Sequence, residues 1–112
     1  FGVGKDLNTD DNFNLYLDIL NKVNSFSKQN NSKLYFIFIP AFERYSNKDF
    51  SNKYYFELIE YLKKNKIELI DLHYDLIIKQ PDPLELYPFR MGGHFNEYGY
   101  KKISKFIYSS IN

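Results

Sequence analysis

A chain of 112 residues, 44% apolar and 20% aromatic, suffices for one domain with a modest core and is too apolar for a disordered tail. Its 15 Lys plus Arg against 14 Asp plus Glu leave a formal charge of +1, without the basic excess that a nucleic-acid partner selects. The lack of cysteine excludes disulfides, a thiolate nucleophile and cysteine-based metal sites, and no apolar run approaches the roughly 20 residues of a membrane-spanning helix.

Residues 1–12 are rich in turn formers and read as a loop, with room for a short strand at the start. The first residue is Phe1 rather than Met, so the sequence reads as a piece of something longer or as a processed product. From about Phe13 to Lys28 the apolar residues recur at helical spacing, with Asp11 or Asn12 as cap, and Gln29 to Ser32 ends the helix. Leu34 to Ile39 is a continuous apolar run stopped by Pro40, the pattern of a strand buried on both faces in a parallel sheet. A polar loop from Ala41 to Lys48 follows, then a helix over Phe50 to Lys64 closed by Asn65.

Ile67 to Leu72 predicts a second, shorter strand, and Tyr74 to Lys79 a helical turn. Gln80 to Gly93, with three prolines and two glycines, predicts a long irregular loop, a common location for function. Asn96 is a favoured N-cap and Glu97 an acid in the first turn of a last helix, which runs to about Ser110. Gly99 sits inside the first turns of that helix, where glycine costs about 1 kcal/mol relative to alanine, so close packing is expected there.

The order predicts an α/β fold: a three-layer, flavodoxin-like parallel sheet with flanking helices. Two to three strands leave that sheet incomplete, to be completed by a missing N-terminal portion or by a homodimer partner. Ligands of such sheets bind beyond the carboxyl ends of the strands, within reach of His94. Taken by itself, His94 is either a general base or a structural loop histidine. Glu43 and Arg44, after the first strand, and Arg90, near His94, are candidate substrate contacts or solvated charges. His73, beside Asp71, reads as an edge residue, and two histidines alone form no metal motif, so neither metal nor cofactor is expected.

His94-Phe95-Asn96-Glu97-Tyr98-Gly99-Tyr100 resembles the last block of the SGNH (GDSL-like) hydrolases, approximately Asp-x-x-His-x-Asn-x-x-Gly-Tyr before a C-terminal helix. Ile39-Pro40-Ala41-Phe42-Glu43-Arg44-Tyr45 is similar to the strand-proline-loop segment of family members that act on or near cell-envelope polysaccharides, and the resemblance covers about residues 13–112. It implies ester hydrolysis or acyl transfer on a small-molecule or carbohydrate ester, with His94 as the base that takes a proton from a serine. The family's Gly-Asp-Ser block has no counterpart, none of the chain's serines lies in such a context, and Gly4-Lys5-Asp6 is only a distant echo of the family's glycine-containing block. Met91 stands where the family carries its triad aspartate, which leaves a backbone carbonyl, Asp82, Glu85 or Asp71 as substitutes. The segment by itself is therefore expected to be inactive. The rival expectation is a non-catalytic binding module using the Gln80 to Gly93 loop and exposed aromatics, or an α/β fragment that self-associates.

Overall fold

The computed structural model describes residues 9–112; the expected N-terminal strand, the first eight residues of the expected loop, and Gly4-Lys5-Asp6 lie outside the described residues, and residues 9–12 of that loop are helical. By contacts the chain divides into two compact units, one comprising Phe1–Tyr35 and Asn52–Glu68 and the other Phe36–Ser51 and Leu69–Asn112.

In the first unit, helix α1 (Thr9–Gln29) packs against helix α3 (Lys53–Lys64), the intervening short helix α2 (Glu43–Ser46) belonging to the second unit. α1 begins earlier than the Phe13 its apolar spacing predicts. Asp10 and Asp11 occupy its first turn, where carboxylates suit the helix dipole. Asp10 is also held there by α3, accepting from Tyr54 Oη at 2.6 Å and Lys53 Nζ at 3.1 Å, and these bonds hold its pKa below the ordinary aspartate value. Phe13 meets the Tyr54 ring at 4.8 Å, and the Tyr61 hydroxyl donates to the Leu17 carbonyl. Leu20, Leu58, Leu62 and Ile67 supply the buried apolar side chains.

α3 starts at Lys53 rather than Phe50, because the Phe50 amide closes a turn on the Asn47 carbonyl instead of entering the helix. Both long helices end in the same way. Asn31 and Lys66 adopt left-handed φ values of 53° and 55°, and the amides that follow, Ser32 and Ile67, reach back to Ser27 and Leu62 carbonyls five residues earlier. That is a Schellman ending, closed here without glycine.

The two-stranded parallel sheet lies mainly in the second unit: β1 (Tyr35–Phe38) beside β2 (Glu68–Asp71). The fold of the described residues is α/β in this coarse sense. All four β1 positions are only half-buried and Ile39 is 59% exposed, so the expectation of a strand covered on both faces is not met within the described residues. The expected polar loop after β1 contains the short helix α2 (Glu43–Ser46).

β2 leads directly into helix α4 (Leu72–Asp75), whose first amides, of His73 and Tyr74, donate to the buried Asp71 carboxylate at 3.0 and 3.1 Å. The stretch after it is more ordered than its composition suggests. Three 3₁₀ turns, Ile77–Lys79, Pro83–Leu86 and Pro88–Arg90, lead to the last helix, α5 (Glu97–Ile111). Prolines open the second and third turns, where a preset φ and a missing amide cost nothing. Leu86 and Tyr87 from this segment join Ile70, Leu72, Ile77, Phe95 and Ile103 in the core of the second unit. Among the described residues no helix is long and apolar enough to cross a membrane.

Candidate active site

Asn96 organises the histidine segment. Its Oδ1 accepts from the Gly99 amide at 2.8 Å, the expected cap of α5, while its Nδ2 donates to the Glu85 carbonyl at 2.7 Å and its amide to the Leu86 carbonyl at 2.8 Å. One side chain thus starts the helix and ties it to the Pro83–Leu86 turn. Gly99 is required by the same contact. A Cβ there would lie 2.6 Å from the Leu86 carbonyl oxygen, closer than such atoms approach, and a tight 3.1 Å from Phe95 Cβ. The close packing expected at this glycine is therefore present, and its partner is backbone.

Phe95 is buried, its ring stacked on Tyr87 at 4.8 Å and edge-on to Tyr100 at 5.8 Å; Tyr87 in turn meets Phe42 edge-on at 5.1 Å. This aromatic column fixes the peptide that follows His94. The His94 Nδ1 lies 2.7 Å from the Phe95 carbonyl oxygen. A carbonyl only accepts, so Nδ1 carries the proton and Nε2 of the neutral ring keeps its lone pair. His94 itself is exposed, preceded by Gly93 at φ +112°, a conformation that demands glycine.

Beside His94 is a hollow of about 280 Å³ lined by Ile39, Gly93, His94, Phe95, Tyr100 and Ile103. Ile39 directly follows β1, so the hollow opens at the carboxyl end of that strand, where ligands of α/β sheets bind. Its walls are apolar apart from the imidazole and the tyrosine hydroxyl. The arrangement provides an oriented proton acceptor at the rim of a small apolar recess.

The other expected site residues go elsewhere. Arg90 pairs with Asp82, and that ion pair holds the Asp82 carboxyl below its ordinary pKa. Arg44 stacks over the Phe38 and Phe50 rings at 5.5 and 4.8 Å, and Glu43 is exposed at the start of α2. None of the three lines the hollow. Of the substitutes for the triad acid, Asp82 is engaged by Arg90 and Asp71 caps α4, whereas the Phe95 carbonyl occupies the place of a carboxylate on Nδ1.

Two features were not read from the sequence. The Tyr45 hydroxyl and His73 Nδ1 are 2.8 Å apart, joining α2 and α4, the short helices that follow β1 and β2. Partial burial and the nearby Arg44 cation push the His73 pKa below the ordinary imidazole value, against the opposing pull of Asp71. The second is the tip beside the site. Phe89 and Arg90 are consecutive left-handed residues, φ 53° and 59°, and the Phe89 ring is 93% exposed. Each such residue costs about 1–2 kcal/mol, offset here by the Arg90 to Asp82 pair and by bonds from the Arg90 and Met91 amides to the Tyr87 and Pro88 carbonyls.

Among the described residues no group of three or more His, Cys, Asp or Glu side chains could hold a metal ion. Compared with models of protein families, with curated proteins and with solved structures, the chain matches none.

Proposed function

We propose that this segment is the histidine-bearing part of an SGNH-like serine hydrolase or acyl-transfer domain, with His94 as general base acting on an ester whose acyl or sugar portion enters the hollow beside it. The observation that carries the reading is the His94 Nδ1 contact with the Phe95 carbonyl, which leaves Nε2 as the lone-pair nitrogen next to the hollow. Nε2 would take the serine hydroxyl proton as oxygen attacks the ester carbonyl, then return it to the departing alcohol.

The serine comes from further polypeptide, which would also supply the strands of a three-layer, flavodoxin-like sheet. Support for that part is the half-exposed β1 and the lack of a serine hydrogen-bonded to His94 among the described residues. A carbonyl in place of aspartate keeps the correct tautomer but carries no full charge to stabilise the imidazolium. Losing the aspartate of a classical triad costs about 10⁴-fold, in large part through the wrong tautomer. A carbonyl-supported base should therefore lose less.

The test is ester hydrolysis by the full-length parent with His94→Ala alongside. Loss of at least about 10³-fold is expected, and activity unchanged by the substitution overturns the assignment. Nitrogen-15 NMR of the segment itself reads the tautomer directly: the proton should reside on Nδ1.

A second reading rests on the tip. Phe89 is held outward on left-handed backbone with Met91 exposed two residues further on, as a recognition anchor would be, and a non-catalytic module could use them to bind a glycan or protein. An active parent that needs His94 decides against that reading.

A further inference from the structure

Helix α1 carries two apolar stripes. Phe13, Leu17 and Leu20, continued by the buried polar Asn24, form the one turned toward α3, by way of the Phe13 to Tyr54 and Leu17 to Tyr61 contacts and the burial of Leu20. The other, Leu15, Ile19, Val23 and Phe26 with Tyr16 at its margin, repeats at spacings of four, four and three residues along the same helix. Its members are 42% to 67% exposed. A helix of this kind should have one apolar face toward its core and a polar face toward water. A second continuous stripe of large side chains along about three turns marks an interaction surface.

The charges flanking the stripe select its occupant. Asp18 and Lys22 lie on the edge of the stripe away from the buried face, and neither forms a salt bridge among the described residues. The midpoint of Asp18 and Lys22 and the midpoint of the apolar stripe both fall at about residue 20. A two-fold axis through that point brings the α1 helices of two copies together antiparallel. It places Asp18 of each copy opposite Lys22 of the other while the two apolar stripes interdigitate. Parallel pairing would carry the Asp18 and Lys22 edges of the two copies to opposite sides of the seam, leaving these charges unmatched, and would align rather than oppose the helix dipoles.

We infer that the exposed face of α1 is a self-association surface for a second copy of this chain, paired antiparallel about residue 20. One helix pair buries less than a standard interface, so the dimer is weak and in exchange with monomer. The inference is independent of the hydrolase reading, which concerns the His94 segment.

Sedimentation equilibrium of the 112-residue chain, from micromolar to high micromolar concentration, tests it. Wild type should show a concentration-dependent monomer–dimer equilibrium. Ile19→Glu should abolish dimerisation with the far-ultraviolet dichroism unchanged. Asp18→Lys alone and Lys22→Asp alone should each weaken the dimer by about 10-fold or more, since each creates two like-charge contacts across the axis. The Asp18→Lys/Lys22→Asp double variant should restore it. The two charge variants lie on the surface and keep the test decisive if Ile19→Glu fails to fold. A strictly monomeric wild type gives the stripe to another occupant and overturns the inference, as does dimerisation that the charge reversals leave untouched or that the double variant does not recover.

Discussion

Asn96 joins two requirements that different substitutions separate. Serine at this position keeps a capping oxygen but loses the donor to the Glu85 carbonyl; aspartate is as good a cap as asparagine and faces that carbonyl with an acceptor. Asn96→Asp should therefore destabilise more than Asn96→Ser, by about 1 kcal/mol, in urea unfolding, reversing the order expected of a simple cap. At Gly99 two effects compete. Alanine gains about 1 kcal/mol of helix propensity, but its Cβ would stand 2.6 Å from a backbone oxygen that has no rotamer to escape into. Overpacking of this kind costs about 1–3 kcal/mol, so Gly99→Ala should be net destabilising by thermal melting. Tyr87 has the opposite sign. Its side chain is 2% exposed, burial and Glu43 push its pKa up to about 12, and its hydroxyl has no hydrogen-bond partner among the described residues. Tyr87→Phe keeps both ring contacts and removes that hydroxyl, and should raise stability by about 1 kcal/mol on the same assay.

The elements most legible in the sequence are those whose own residues determine them. The last helix follows from Asn96, Glu97 and the spacing that begins at Tyr100; it runs from Glu97 to Ile111, one residue beyond its expected end. Where a boundary depends on a contact distant in sequence, local pattern does not show it. α1 starts four residues before Phe13 with Asp10 held by Lys53 and Tyr54, 43 and 44 positions away. The endings of α1 and α3 are legible only as polar stops, because the left-handed residues that close them are Asn31 and Lys66 rather than glycine. At Lys66 this makes a direct prediction. Lysine in the left-handed region carries a steric cost that glycine avoids, partly offset by glycine's larger unfolded-state entropy. Lys66→Gly should stabilise the first unit by about 0.5–1 kcal/mol, seen as a raised midpoint in urea.

At the scale of the whole molecule, the α/β class and the candidate base are readable from runs and motifs, whereas the partners of the charged residues are not. Arg90 is adjacent to the site in sequence, yet pairs with Asp82; Arg44 is adjacent to β1, yet stacks on Phe38 and Phe50. His73 lacks any motif and becomes notable only through Tyr45, 28 residues earlier. The surroundings of His73 set a pH dependence for the second unit. The folded His73 pKa lies below the ordinary imidazole value of about 6.5, because partial burial and Arg44 disfavour the cation more than Asp71 favours it. The unfolded chain therefore binds the proton more readily, and stability must rise with pH across the window between the two values. The contribution is complete above about pH 6.5 and diminishes as pH falls from there through the folded value. The midpoint of urea unfolding should decrease on acidification from pH 7 to 5, and His73→Gln, neutral throughout, should flatten that slope. His94 serves as the control: a slope that persists in His73→Gln and disappears in His94→Gln would refute the assignment to His73.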